Sequence, residues 1–129
     1  LSHEASNEAI GPAALTATTF PARILFKTRA KRPAAWTPDF RALSPALIRR
    51  LAEEGVALVG TDAPSVDPAE SELLVSHRIA LANRMTILEN LDLSDVPGGE
   101  YELIALPLPL RGVEASPVRA ILRSLSSRI

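Results

Sequence analysis

The stretch from Ser44 to Gly60 constrains the fold more than any other, because it encodes a helix with both ends marked and a buried strand directly after it. Ser44 can accept hydrogen bonds from the free amides of a first turn, and Pro45 suits the first helical position, where no N–H is needed. Leu47, Ile48 and Leu51 form an apolar stripe, while Arg49, Arg50, Glu53 and Glu54 face water. Gly55 can close the helix in the left-handed conformation. Val56-Ala-Leu-Val-Gly60 is then a continuous apolar run, the pattern of an interior strand.

The rest of the chain supplies neighbours for that strand. Ala22-Arg-Ile-Leu-Phe-Lys-Thr28 reads as a short strand, with Ile24 and Phe26 alternating against Arg23, Leu25 and Lys27. Residues 70–84 read as a second helix, with Leu73, Leu74, His77, Leu81 and Arg84 at spacings of three and four. A strand begins at Thr86, and residues 92–99 form a loop turning at Pro97-Gly98. Residues 100–110 are strand-like, with Leu106, Leu108 and Leu110 on one face. Pro107 and Pro109 remove ladder donors and confine the end of that strand to an edge or an irregular stretch. Residues 118–122 make a last strand. Residues 4–10 read as a helix remnant, and residues 29–38 as a charged, proline-rich loop containing Trp36. The order is strand, helix, strand, helix, three strands: α/β, a mixed sheet with two main helices.

Composition removes several classes of function. At 129 residues the chain is one domain at most, and 22% charged residues is ordinary for a soluble protein. A net charge of −1, with no basic run interleaved with aromatics, gives no reason to expect nucleic acid. No apolar run approaches the roughly 18 residues of a membrane span. The absence of cysteine excludes disulfides, thiolate metal sites and a cysteine nucleophile, and suits the cytoplasm. The first residues lack the basic-then-apolar pattern of a signal peptide and an initiator Met, so the expectation is a fragment of a longer chain.

Chemistry concentrates in His77, on the second helix, and Glu89, twelve positions later in the following strand. A reversal near Arg84 would let the imidazole and the carboxylate converge as two ligands of a metal, which needs three or four. Spacing by itself favours the plainer reading: a helix histidine and an exposed carboxylate. Asp62 and Asp67, flanking Ala-Pro-Ser-Val, read first as turn formers, with metal oxygens or an acid/base couple as the alternative. Asp67 and Ser71 compete to cap the helix that carries His77. Ser116 lacks the nucleophile elbow and base of a serine hydrolase. Gly98-Gly99 is a turn and not a phosphate cradle. Trp36, Phe40 and Tyr101 read as packing residues, and His3 as a solvated terminal residue.

Taken together, Asp62-Ala-Pro-Ser-Val-Asp-Pro68, His77-Arg-Ile-Ala-Leu81, Ile87-Leu-Glu-Asn-Leu91, Val96-Pro-Gly-Gly-Glu-Tyr-Glu-Leu-Ile-Ala-Leu-Pro-Leu108 and Ala115-Ser-Pro-Val-Arg-Ala-Ile-Leu122 occur in an order that resembles the C-terminal half of the bacterial kynurenine formamidases, within the metal-dependent cyclase-like hydrolases. Trp36-Thr-Pro-Asp-Phe40 is similar to a Trp-x-x-x-Phe pattern of the same family, which would place an aromatic near the substrate or at a subunit contact.

The resemblance reverses the plainer reading of His77 and Glu89 and makes them metal ligands. It implies a swivelling β/β/α fold, of which residues 1–129 are the C-terminal part of a single domain. It also implies a homodimer, and hydrolysis of N-formylkynurenine to kynurenine and formate in tryptophan breakdown. One or two zinc ions, with manganese as the alternative, would bring a water's pKa to around neutrality and polarise the formamide carbonyl. The family's other ligands and its acid/base histidine lie in a His-x-Gly-Thr-His-x-Asp-x-Pro type motif that this sequence does not contain. The missing donors are therefore expected from an N-terminal half, and the chain is expected to be inactive alone. Two rivals remain: a sister hydrolase of another amide, lactam or ester, favoured less by Tyr101-Glu-Leu-Ile-Ala-Leu-Pro-Leu108 and Ser116-Pro-Val-Arg119, and a non-catalytic half-domain acting only in assembly.

Overall fold

The structure, a computed structural model, describes residues 8–125, and the contacts divide the chain into two compact units after Asp95. Glu4 and His3 lie outside the described residues.

In the first unit, β1 (Arg23–Phe26), α1 (Pro45–Glu53), β2 (Leu58–Thr61), α2 (Val75–Ala82) and β3 (Thr86–Leu88) alternate along the chain. The three strands are parallel, in the order β1-β2-β3, with Ile24 opposite Val59 and Val59 opposite Ile87. The apolar run is the central strand, as its composition requires. It starts two residues later than the run itself, because Val56 is used to finish α1.

That finish follows from backbone chemistry. Ser44 Oγ accepts from the Leu47 amide at 3.2 Å, a cap worth about 1 kcal/mol. At the other end Gly55 sits at φ +80, its amide bonds Ala52 O at 3.0 Å, and the Val56 amide bonds Leu51 O at 3.0 Å. These two bonds satisfy carbonyls that the last turn would otherwise leave open. Helix α2 ends in the same way: Arg84 takes φ +55, its amide bonds Leu81 O, and the Met85 amide bonds Ala80 O at 2.9 Å. The reversal expected near Arg84 is therefore present, with a non-glycine residue carrying the left-handed strain of about 1 kcal/mol.

Helix α2 is shorter than the 70–84 expected. Ser71 N bonds Pro68 O, the Leu74 amide bonds Ser71 Oγ at 3.2 Å, and Leu74 is left-handed at φ +47. A left-handed residue cannot continue a right-handed helix backwards, so α2 starts at Val75. Leu73, Leu74 and Leu81 are exposed, and the buried face is Ser76 and Ala80, against α1.

The core of this unit joins Leu43, Leu47, Ile48 and Leu51 to Val56, Val59, Val66, Ala80 and Met85, with Ile10 beside them. Ile10 forms a parallel bridge with Leu43, its amide bonding Ala42 O at 2.8 Å, so residues 8–10, the described end of the helix remnant expected over 4–10, are not helical; residues 4–7 lie outside the described residues. Only a short 3-10 turn, Pro12–Ala14, follows. Phe40 packs with Ala42 and Ala63, as expected of it.

The second unit is an antiparallel ribbon of β4 (Tyr101–Pro107) and β5 (Val118–Ser124), paired from Tyr101↔Ser124 to Pro107↔Val118. The strand stops where the first proline removes a donor. Ser116 Oγ accepts from the Leu108 amide at 3.1 Å, so this serine ties the connection between the two strands. The mixed α/β class holds, resolved into a parallel three-stranded sheet and a separate antiparallel pair.

Candidate functional site

Parallel strands deliver their carboxyl ends to one edge, and in open α/β sheets that edge is where ligands bind. Here β1 leads into Thr28 and Arg29, β2 into Asp62 and Asp67, and β3 into Glu89 and Asn90. The sequence candidates thus share an edge because the strands share a direction.

Asp67 organises the site. It is 2% exposed, and its carboxylate spans the start of α2. Oδ1 accepts from the Ser76 amide at 2.9 Å, and Oδ2 from the His77 amide at 3.0 Å. The same Oδ2 lies 2.7 Å from His77 Nδ1. Burial pushes the Asp67 carboxyl up, but the His77 amide, the His77 ring and the Ser76 amide together outweigh it and hold the group below its ordinary value. An ionised carboxylate only accepts, so Nδ1 carries the hydrogen and Nε2 is the ring nitrogen turned toward Glu89. Ser76 is fully buried beneath this arrangement, its hydroxyl donating to Leu43 O at 2.9 Å.

His77 Nε2 faces Glu89 Oε1 at 3.1 Å, and the two side chains are 32% and 28% exposed. Glu89 is held from behind by the Val66 amide, 2.8 Å from the same oxygen. The two sequence-predicted residues therefore converge on one point. With Nδ1 protonated, an imidazole lone pair and a carboxylate at this distance repel unless a proton or a cation lies between them. One nitrogen and one oxygen donor, the ring braced by a buried carboxylate, suit two positions of a divalent-cation site. Among the described residues, no group of three or more His, Cys, Asp or Glu side chains is arranged to hold a metal.

Asp62 does different work from the local turn expected of it. Its oxygens accept from the Thr28 amide at 2.9 and 3.0 Å, from the Thr28 hydroxyl at 2.6 Å and from the Arg29 amide at 3.2 Å. It pins the segment after β1 to the end of β2. Trp36, expected to pack, is 71% exposed and lines a cavity of about 220 Å³ together with Arg29, Arg32, Pro64 and Asn90. Sequence reasoning missed Arg29 altogether, since only the β1–β2 pairing brings it to this edge.

No family model matches the chain. Among solved structures, a predicted metal-dependent hydrolase from Bacillus stearothermophilus aligns over 86% of the chain and 53% of its own, with a TM-score of 0.74 and 32% identity. A potential metal-dependent hydrolase with cyclase activity aligns over 90% of the chain and 58% of its own, with a TM-score of 0.77 and 30% identity. The fold is that of the cyclase-like, metal-dependent hydrolases.

The sequence is similar to those of proteins named kynurenine formamidase. The chain is 55% identical over 107 residues to the kynurenine formamidase of Bordetella petrii, and 48% identical over 106 to that of Delftia acidovorans. It is 51% identical over 106 residues to that of Polaromonas naphthalenivorans. These matches cover 81 to 82% of the chain, which spans about half the length of the relatives.

Proposed function

We propose that this sequence is a segment of a metal-dependent formamidase that hydrolyses N-formylkynurenine to kynurenine and formate, with His77 and Glu89 as two of the metal's ligands. One observation carries the reading. In a chain 48 to 55% identical to kynurenine formamidases, His77 Nε2 and Glu89 Oε1 meet at 3.1 Å while a buried carboxylate grips the ring's other nitrogen. His77 and Glu89 would hold a divalent cation, zinc or manganese, one ion or two, which would supply Lewis acidity at the formamide carbonyl and lower the pKa of a water toward neutrality. The chain's own residues orient that centre. Asp67 keeps the hydrogen on Nδ1, which leaves Nε2 free to donate its lone pair, and the Val66 amide fixes Glu89.

The remaining donors and the acid/base histidine are assigned to residues beyond these 129. Residues 1–129 are then the C-terminal part of a single hydrolase domain, inactive alone, of a cytoplasmic homodimer acting in tryptophan breakdown. The likeness to a hydrolase with cyclase activity supports a second reading, hydrolysis of a different amide, lactam or ester at the same centre.

The test uses the protein that contains this segment. Dialysis against a chelator is expected to lower N-formylkynurenine hydrolysis at least about a hundredfold, with recovery on adding zinc or manganese. Full activity in material shown metal-free by elemental analysis overturns the reading. A lactam or ester cleaved far faster than the formamide moves the assignment to the sister activity.

A further inference from the structure

The cavity beside Trp36 lies on the same carboxyl edge as His77 and Glu89: Asn90 follows Glu89 directly, and the Asn90 amide bonds Ala63 O at 2.8 Å in the loop that carries Pro64 and Val66. Two arginines, Arg29 and Arg32, are among its lining residues, and no Asp or Glu is. Among the described residues, Arg29 Nη2 is buried without a hydrogen-bond partner, whereas the Arg29 amide is already fixed by Asp62. A buried cationic donor with no acceptor is costly, and an arginine fork is shaped to receive a carboxylate in two parallel bonds. The volume of about 220 Å³ exceeds the roughly 150 Å³ that admits a benzene ring, so it has room for an amino-acid arm. The exposed Trp36 offers a flat face at the rim for a planar ring, and the Asn90 carboxamide an acceptor for an ammonium.

We propose that this cavity binds the carboxylate-bearing arm of an aromatic formamide, with the carboxylate on Arg29 and the ring against Trp36. In this way it selects amino-acid-bearing formamides over plain formanilides. The inference rests on the hydrolase reading above, adding to it the group that recognises the substrate away from the bond that breaks. Arg29 acts on binding, so its loss raises KM more than it lowers kcat.

The experiment compares Arg29→Gln with the unaltered protein on two substrates, N-formylkynurenine and formanilide, which lacks the carboxylate. The variant is expected to lose about ten- to a hundredfold in kcat/KM toward N-formylkynurenine, mostly through KM, and to stay within about twofold toward formanilide. Arg29→Lys, which keeps the charge without the fork, is expected to recover part of the loss. Equal loss on both substrates assigns Arg29 a structural role and overturns the proposal, as does no loss on either. Should the unaltered protein hydrolyse neither, the hydrolase reading fails while the cavity remains testable by calorimetry with kynurenine. Binding weakened at least tenfold in Arg29→Gln then supports the cavity, and binding unchanged or undetectable in both proteins overturns it.

Discussion

His77→Ala is expected to remove the metal from the complete protein and with it about a thousandfold of hydrolytic rate. That figure is the several kcal/mol of Lewis-acid stabilisation, at about 1.4 kcal/mol per tenfold. Glu89→Gln is the sharper companion. A glutamine carbonyl still accepts from the Val66 amide, which now holds Glu89 Oε1 at 2.8 Å, so the local fold survives while the charged donor is lost. Both variants are expected to keep a native circular dichroism spectrum and to bind metal poorly, and the double variant to be little worse than either, because two ligands of one ion act as a unit. Metal content by mass spectrometry and a rate for each variant decide the matter. Full metal occupancy in both single variants sinks the ligand assignment.

Asp67→Asn is expected to cost stability and metal affinity together. Asparagine keeps one acceptor oxygen in place of two, so the Ser76 amide or the His77 amide loses its partner at a fully buried position. One buried donor left without an acceptor costs about 1–3 kcal/mol. With its NH₂ turned to the ring, the asparagine would donate to Nδ1 and shift the ring hydrogen to Nε2, the atom that faces Glu89. Bracing groups of this kind typically govern metal affinity by about ten- to a hundredfold.

The pH dependence follows with its sign. Asp67 is held below its ordinary value of 3.8 in the folded protein, so its stabilising effect is complete above that value and fades as pH falls beneath it. Thermal unfolding in chelator should therefore show a gap between native protein and Asp67→Asn at pH 7 that narrows below about pH 4. A gap that is constant with pH, or absent at pH 7, removes Asp67 from its place under the ring.

Much of this architecture could be read from sequence where the signal is local. Helix α1 carried its cap, its stripe and its closing glycine within one short stretch, and the central strand followed as an unbroken apolar run. Helix α2 was misjudged at its start because the stop comes from Leu74 in a left-handed conformation, and leucine gives no warning of that. Its leucines at helical spacing proved to be solvent-facing, while the packing face uses the small residues Ser76 and Ala80. The convergence of His77 and Glu89 was expected from the family resemblance and permitted by spacing. The grip of Asp67 on the ring, as opposed to the helix end, depended on how the intervening loop folds. Arg29 gave no signal of this kind, whereas the family pattern had pointed to Trp36; their cavity is built mostly from the stretch 29–37, and only parallel pairing brings Pro64 and Asn90 to it.

The ribbon of β4 and β5 bears on how such a polypeptide behaves at concentration. Among the described residues both of its strands are edge strands, and Ile104, Leu106, Leu108, Leu110 and Ile121 lie open to solvent along it. Unpaired backbone groups beside bulky aliphatic side chains invite strand addition from a like molecule. Preparations of the 129-residue chain alone would accordingly tend toward sticky, sheet-mediated assemblies, and a lysine placed at Leu106 is the natural means of keeping them dispersed.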